Sequence, residues 1–161
     1  MKGIVAYDSV HGSTKRVAEA MVEQIKAEGH EAQLIAVREW AKGPLIGDFL
    51  FIGSPTRGGK MTKEAKEFID SLDSRYWKAR KVVTFATVGP MSKDPEKRKK
   101  MVESMGDHTK SAATKMKEIL QEHGIPVHAT MHFAVVGMWG PIAPEGPETA
   151  KERTRKFIAE Y

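Results

Sequence analysis

The sequence contains no cysteine, which excludes disulfides, thiolate metal sites, cysteine-ligated iron–sulfur clusters and a cysteine nucleophile. It also has no apolar run approaching the ~20 residues needed to cross a bilayer. The apolar start, Met1 to Tyr7, is broken by Asp8 and His11, too early for a secretory signal. That stretch is expected to be a strand of the mature protein, with the cytoplasm as its compartment. Internal repeats, low-complexity tracts and linker-like segments are missing. So are a GxGxxG fingerprint, a Walker loop and the GxSxG elbow on which Ser–His hydrolysis would rest. His108 and His123 are too far apart for a local ligand pair, and His128 with His132 falls on an expected strand. All are read as surface or packing histidines rather than metal ligands.

The composition that remains is that of an ordinary globular protein: 161 residues, 40% hydrophobic and 29% charged. The length fits one domain, residues 1–161. Short apolar runs alternate with helical patterns along it. Gly3–Tyr7, Glu31–Val37, Phe49–Gly53, Lys81–Thr87 and Val127–Val136 are the expected strands. Val17, Ala18, Met21, Val22 and Ile25 share one helical face, and Gly29 ends that helix. Ala65, Phe68, Ile69 and Leu72 mark a second helix. A long helical region runs from Pro95 to Gly124, with a possible break near Gly106. Ala150, Phe157, Ile158 and Tyr161 mark the last helix; Met21, Met101, Met105 and Met116 are read as core filler. Apolar strands separated by helices call for a parallel sheet between two helix layers. Ligands of such sheets sit beyond the carboxyl ends of the strands, where strand order reverses.

The loop after the first strand, Tyr7-Asp8-Ser9-Val10-His11-Gly12-Ser13-Thr14, is small and rich in hydroxyls. Amide groups at a helix N-terminus carry partial positive charge, and Ser9, Ser13 and Thr14 add hydroxyl donors, so the loop suits a phosphate monoester. The plainer alternative is that Ser13 or Thr14 only caps the helix.

The pattern Tyr7-x-Ser9-x-x-Gly12-x-Thr14 resembles the flavodoxin signature, which in that family wraps the FMN phosphate. Ser54-Pro55-Thr56-Arg57-Gly58-Gly59, after the third strand, is similar to the family loop that holds the isoalloxazine ring. Thr87-Val88-Gly89-Pro90-Met91, after the fourth strand, matches more loosely the loop that covers the ring's other face. The resemblance spans the chain. It implies an α/β flavodoxin-like three-layer sandwich, with a five-stranded parallel sheet of order 2-1-3-4-5 and FMN as cofactor. It further implies electron transfer between protein partners, with no catalytic side chain and no metal.

This chain departs from the family in two ways. The ring loops lack the aromatic residues that often bracket the flavin, so Arg57, Met91 or glycine peptide planes are expected to cover it. Trp139 is a further candidate, although ordinary packing under its Pro-rich loop is the favoured reading. His11 is read evenly as a phosphate donor or a solvent-facing side chain. The second departure is charge: the chain is basic, at a formal +5 and pI near 9.4. Arg57 and Lys60 lie in the ring loop, and Lys93, Lys97, Arg98, Lys99 and Lys100 follow the third loop. The run is most simply a solvated helix face. Near a flavin it would stabilise the reduced, anionic ring and raise the potential. As a rim, Lys93–Lys100 would dock an acidic redox partner; a membrane surface is not favoured and no specific nucleic acid is expected. An alternative is a flavin enzyme of the quinone reductase or menaquinone-dependent protoporphyrinogen oxidase type. The stretch Gly53–Ile69 and Asp94-Pro95-Glu96-Lys97-Arg98 resemble the latter branch, but its long fifth-strand insertion is missing. A flavin-free basic binding module is a further alternative. A phospho-receiver is disfavoured because the third strand ends in Gly53-Ser54 rather than in acidic residues.

Overall fold

A computed structural model describes residues 1–161. The elements in chain order are β1 (Lys2–Tyr7), α1 (Ser13–Ala27), β2 (Glu31–Ala36), β3 (Phe49–Pro55), α2 (Lys63–Asp70), α3 (Ser74–Trp77), β4 (Lys81–Val88), α4 (Pro95–Glu103), α5 (Ala112–Glu122), β5 (Ala129–Ala134) and α6 (Gly146–Ala159). The five strands form one parallel sheet of order β2-β1-β3-β4-β5. The reversal of winding falls between β1 and β3.

Side chains alternate across each strand, so the sheet feeds two separate cores. Ile4, Ala6, Leu50, Ile52, Val82 and Ala86 point to one face, where Phe68 and Ile69 of α2, Trp77 of α3, and Met116 and Leu120 of α5 cover them. Val5, Phe49, Phe51, Val83 and Phe85 point to the other, against Val17, Met21 and Ile25 of α1 and Phe157 of α6. Both faces of β1, β3 and β4 are dry, which is why these strands read as continuous apolar runs. β2 is an edge strand, and only Ile35 of it is buried. Gly53 is required by packing: a Cβ there would lie 2.1 Å from the Phe85 ring.

Local chemistry sets where the helices start. Thr62 caps α2 by accepting the Ala65 N–H, Asp94 caps α4 ahead of Pro95, and Ser111 with Thr114 forms a capping box on α5. That capping box divides the long helical region expected between Pro95 and Gly124, leaving Ser104–Lys110 non-helical. The short helix α3, with Trp77 buried, has no counterpart among the expected elements. Two expected core residues are corrected. Met101 is 40% exposed on α4, and Tyr161 lies beyond α6, 44% exposed, with its hydroxyl donating to Asp48 O (3.0 Å).

Candidate functional site

All five strands are parallel, so the loops after β1, β3, β4 and β5 meet at one edge of the sheet. The first loop leaves β1 with Asp8 N–H donating to Gly53 O (2.9 Å) and the Asp8 carboxylate buried, at 2% exposure. Arg38 donates to that carboxylate through Nε (2.6 Å) and Nη2 (3.1 Å), and Thr62 Oγ1 donates at 2.5 Å. The acid beside the loop is therefore neutralised from behind. The chain then turns, with Gly12 N–H donating to Ser9 Oγ (3.1 Å).

Gly12 occupies the N-cap of α1 at φ 95°, in the left-handed region, and no side chain caps the helix. The first intrahelical bond is Arg16 N–H to Gly12 O (3.0 Å). The N–H groups of Ser13, Thr14 and Lys15 precede it, with their dipoles aimed out of the helix. This excludes the reading of Ser13 or Thr14 as a simple cap. Thr14 is buried, and its Oγ1 lies 2.9 Å from Thr87 Oγ1, fastening the first loop to the end of β4.

In the second loop, Ser54 is fully buried; its hydroxyl accepts the Thr62 N–H (3.1 Å) and donates to Pro55 O (2.9 Å). Thr56 donates its N–H to Thr87 O (3.0 Å), and its Oγ1 accepts the Ala112 N–H of α5 (3.1 Å). Arg57 and Lys60 exchange two backbone bonds (2.8 and 3.0 Å) around Gly58 and Gly59, a tight turn that leaves Arg57 exposed. In the third loop Met91 donates its N–H to Val135 O (2.8 Å), and its side chain is buried with Ala134 and Ala143.

These loops enclose one cleft. Ser9, Val10, His11, Ser13 and Thr14 line it from the first loop, Pro55, Thr56 and Arg57 from the second, Thr87 and Gly89 from the third. Gly12, Ser54, Gly58, Gly59, Val88, Pro90 and Met91 are outside its lining, where they shape or support the loops. The fourth loop supplies a further wall, in which only Trp139 is a candidate from the sequence: Val135, Gly137, Met138, Trp139 and Gly140. Trp139 is 58% exposed, with its ring 4.6 Å from that of His11 and 5.6 Å from the Arg57 guanidinium carbon. Ordinary packing of Trp139 is thus overturned: it stands over the cleft mouth. The signal for it was an apolar pair, Met138-Trp139, in a Gly- and Pro-rich loop at a strand's carboxyl end.

The basic rim is also corrected. Lys93, Lys97, Lys99 and Lys100 are exposed, but Arg98 is 4% exposed and turned inward. It holds Glu145 through Nε (2.6 Å) and Nη2 (3.0 Å), and donates through Nη1 to Ser92 O and Lys93 O (3.1 and 3.2 Å). His132 is a packing histidine. Its Nε2 lies 2.7 Å from Ser111 Oγ, and burial, with Arg153 nearby, pushes its pKa down to about 4.

A doubly wound parallel sheet, with an uncapped helix N-terminus at its switch point and no acidic residue lining the adjoining cleft, defines an α/β protein built for a phosphorylated cofactor. The flavodoxin-domain family model matches residues 4–133, and the chain belongs to the flavodoxin family. Membership of that family implies FMN as its cofactor. A flavodoxin from Aquifex aeolicus (strain VF5) is 36% identical over 78 residues, covering 47% of this chain and 42% of the relative. The chain matches less than half the length of its curated relatives, 42% and 28%. An archaeal flavodoxin structure superposes at TM-score 0.71 and 20% identity, over 99% of this chain and 98% of that one. Oxidised flavodoxin 2 of Bacillus cereus superposes at TM-score 0.71 and 23% identity, over the full length of both. No helix is long and apolar enough to cross a membrane.

Proposed function

We propose that this protein carries electrons between protein partners, with FMN held in the cleft at the carboxyl edge of the sheet. The observation that carries this reading is the bare N-terminus of α1, where Ser9, Ser13 and Thr14 bring uncapped N–H groups and hydroxyls to a cleft walled by the ring loops. FMN, when bound, supplies the redox chemistry. The first loop binds the phosphate, and Arg38 keeps Asp8 from opposing it. Thr56, fixed by Thr87 and Ala112, sets the floor of the ring site. Arg57 and Trp139 cover the ring, taking the place of the aromatics missing from the second and third loops. No side chain here has to move a proton. The exposed lysines from Lys93 to Lys100, with Arg57 and Lys60, favour the reduced anionic cofactor and an acidic partner.

Titration of the apo-protein with FMN and with riboflavin, followed in the visible spectrum, tests the phosphate cradle. Two or three charge-assisted hydrogen bonds, each worth roughly 1.5–3 kcal/mol, make riboflavin at least about 100-fold weaker. Equal affinity for the two flavins overturns the assignment of the first loop. Electron flow that needs a reductase and an acceptor protein supports the carrier reading, whereas turnover of a small substrate by the purified holoprotein alone replaces it with an enzyme.

A further inference from the structure

A second cavity, of about 600 Å³, lies beside the free edge of β5, between α4 and the start of α6. It shares no lining residue with the flavin cleft. β5 is the last strand of the sheet, so one edge of it has no neighbouring strand. His132 and Ala134 turn their peptide groups to that edge. His132 O accepts from Arg153 Nη1 (2.8 Å), and Ala134 O accepts the Ala143 N–H (2.9 Å). A strand residue presents its N–H on the same side as its C=O, so two amide donors also lie along this wall. The rest of the surface is largely apolar, and Val102, Pro95 and Pro144 are the lining side chains with apolar surface to offer, Phe133 and Ala143 being almost fully covered. Its volume falls within the roughly 300–1,000 Å³ of small-molecule sites.

The charges around the cavity are not evenly matched. Arg98 is paired with Glu145, and Lys99 has Glu103 at 3.9 Å. Arg153 has no carboxylate partner: its guanidinium meets only the His132 carbonyl and the face of Phe133, 4.9 Å from the ring centroid. Burial pushes its pKa below the ordinary arginine value. A half-buried guanidinium answered by one carbonyl and one ring keeps N–H groups without a protein acceptor, and a carboxylate brought to it gains charge-assisted hydrogen bonds. An apolar body on the same ligand fills the remaining space.

We propose that this cavity binds a small organic acid, its carboxylate on Arg153 and the β5 amides, its apolar body against Val102, Pro95 and Pro144. The site is independent of the flavin reading. Calorimetric titration of the FMN-loaded protein with naphthalene-2-carboxylate, and with the uncharged naphthalene-2-carboxamide, tests it. One molecule of the carboxylate is expected to bind saturably, and the carboxamide about ten-fold or more weakly, as loss of a charge-assisted bond dictates. Arg153→Gln should weaken the carboxylate by about ten-fold and the carboxamide by about two-fold or less, while Arg153→Lys, which keeps the charge but loses the planar fork, should fall between the parent and the glutamine variant for the carboxylate. Val102→Trp, which narrows the cavity from α4, should weaken both several-fold and leave FMN affinity unchanged. If Arg153→Gln does not fold, the lysine and tryptophan variants decide the matter alone. No saturable binding, equal affinity for the two probes, binding untouched by Val102→Trp, or displacement of the carboxylate by FMN each overturn the proposal.

Discussion

Asp8 is a buried acid one residue ahead of a loop suited to a dianion, and only its pairing makes that placement tolerable. Arg38 reaches it from the turn after β2, with half its own side chain in solvent, so salt and water moderate the pair. Arg38→Ala strands the carboxylate with Thr62 as its remaining donor. The expected loss is about 1–3 kcal/mol in urea denaturation, with FMN weakened more than riboflavin because the uncompensated charge faces only the phosphate. An unchanged FMN-to-riboflavin ratio would mean that Asp8 does not act on the cradle. His132 gives a pH test. Its folded pKa of about 4 lies below the ordinary 6.5, so between these values the unfolded chain binds a proton that the folded one refuses. Stability is therefore full above about pH 6.5 and falls by up to about 3 kcal/mol as pH drops to about 4, and His132→Gln should flatten that slope when urea midpoints at pH 7 and pH 4.5 are compared. The pairing of Asp8 with Arg38, 30 positions later in the chain, was not legible in the sequence because it depends on β1 and β2 lying side by side. Arg98 was misread for the same reason: within a run of lysines, nothing local distinguishes the cation that meets Glu145 across the fold.

At the level of elements, α1 trades a cap for an open donor set, and Gly12 makes that possible. Its φ of 95° lies where a Cβ is disfavoured by about 1–2 kcal/mol, yet nothing stands within 4 Å of where that Cβ would be. Gly12→Ala should therefore lower stability by about 1–2 kcal/mol through backbone strain alone, and Gly12→Asn, which tolerates the left-handed region better, by less. Thermal melts of the apo forms read this directly; a larger loss for asparagine than for alanine would point to a steric cause instead. The strands, α1 and α2 were legible because burial on both faces, or on one helical stripe, writes a period into the sequence. The turn Ser104–Lys110 was marked only by Gly106, since the signal that restarts the helix is a Ser111–Thr114 pair that also occurs in unbroken helices. The fourth wall of the cleft had no periodic signature, because an exposed tryptophan over a ligand site resembles a packed one until the loop is folded.

For the molecule as a whole, charge and shape separate the tasks. The parallel sheet gathers its ligand loops at one edge, while the formal +5 is spread over lysines whose effect is collective. A unit charge about 10 Å away in a water-like dielectric contributes roughly 0.4 kcal/mol, which corresponds to about 15–20 mV in a one-electron potential. Reversing Lys93, Lys97, Lys99 and Lys100 together to glutamate leaves the Arg98–Glu145 brace in place, so the fold of α4 should survive. The midpoint potential of the FMN-loaded variant should fall by several tens of millivolts at low salt, and by much less at 0.5 M salt, where the screening length is about 4–5 Å. If the lysine rim docks an acidic acceptor as proposed, transfer to it should slow over the same range of salt, because surface lysines at such a contact steer encounter rather than hold the complex. A potential unmoved at low salt, together with an unchanged transfer rate, would return this face to the plain reading of a solvated helix. A potential that moves without a change in rate would leave the lysines as tuners of the flavin and send the search for the docking surface to Arg57, Lys60 and the exposed Trp139 at the cleft mouth.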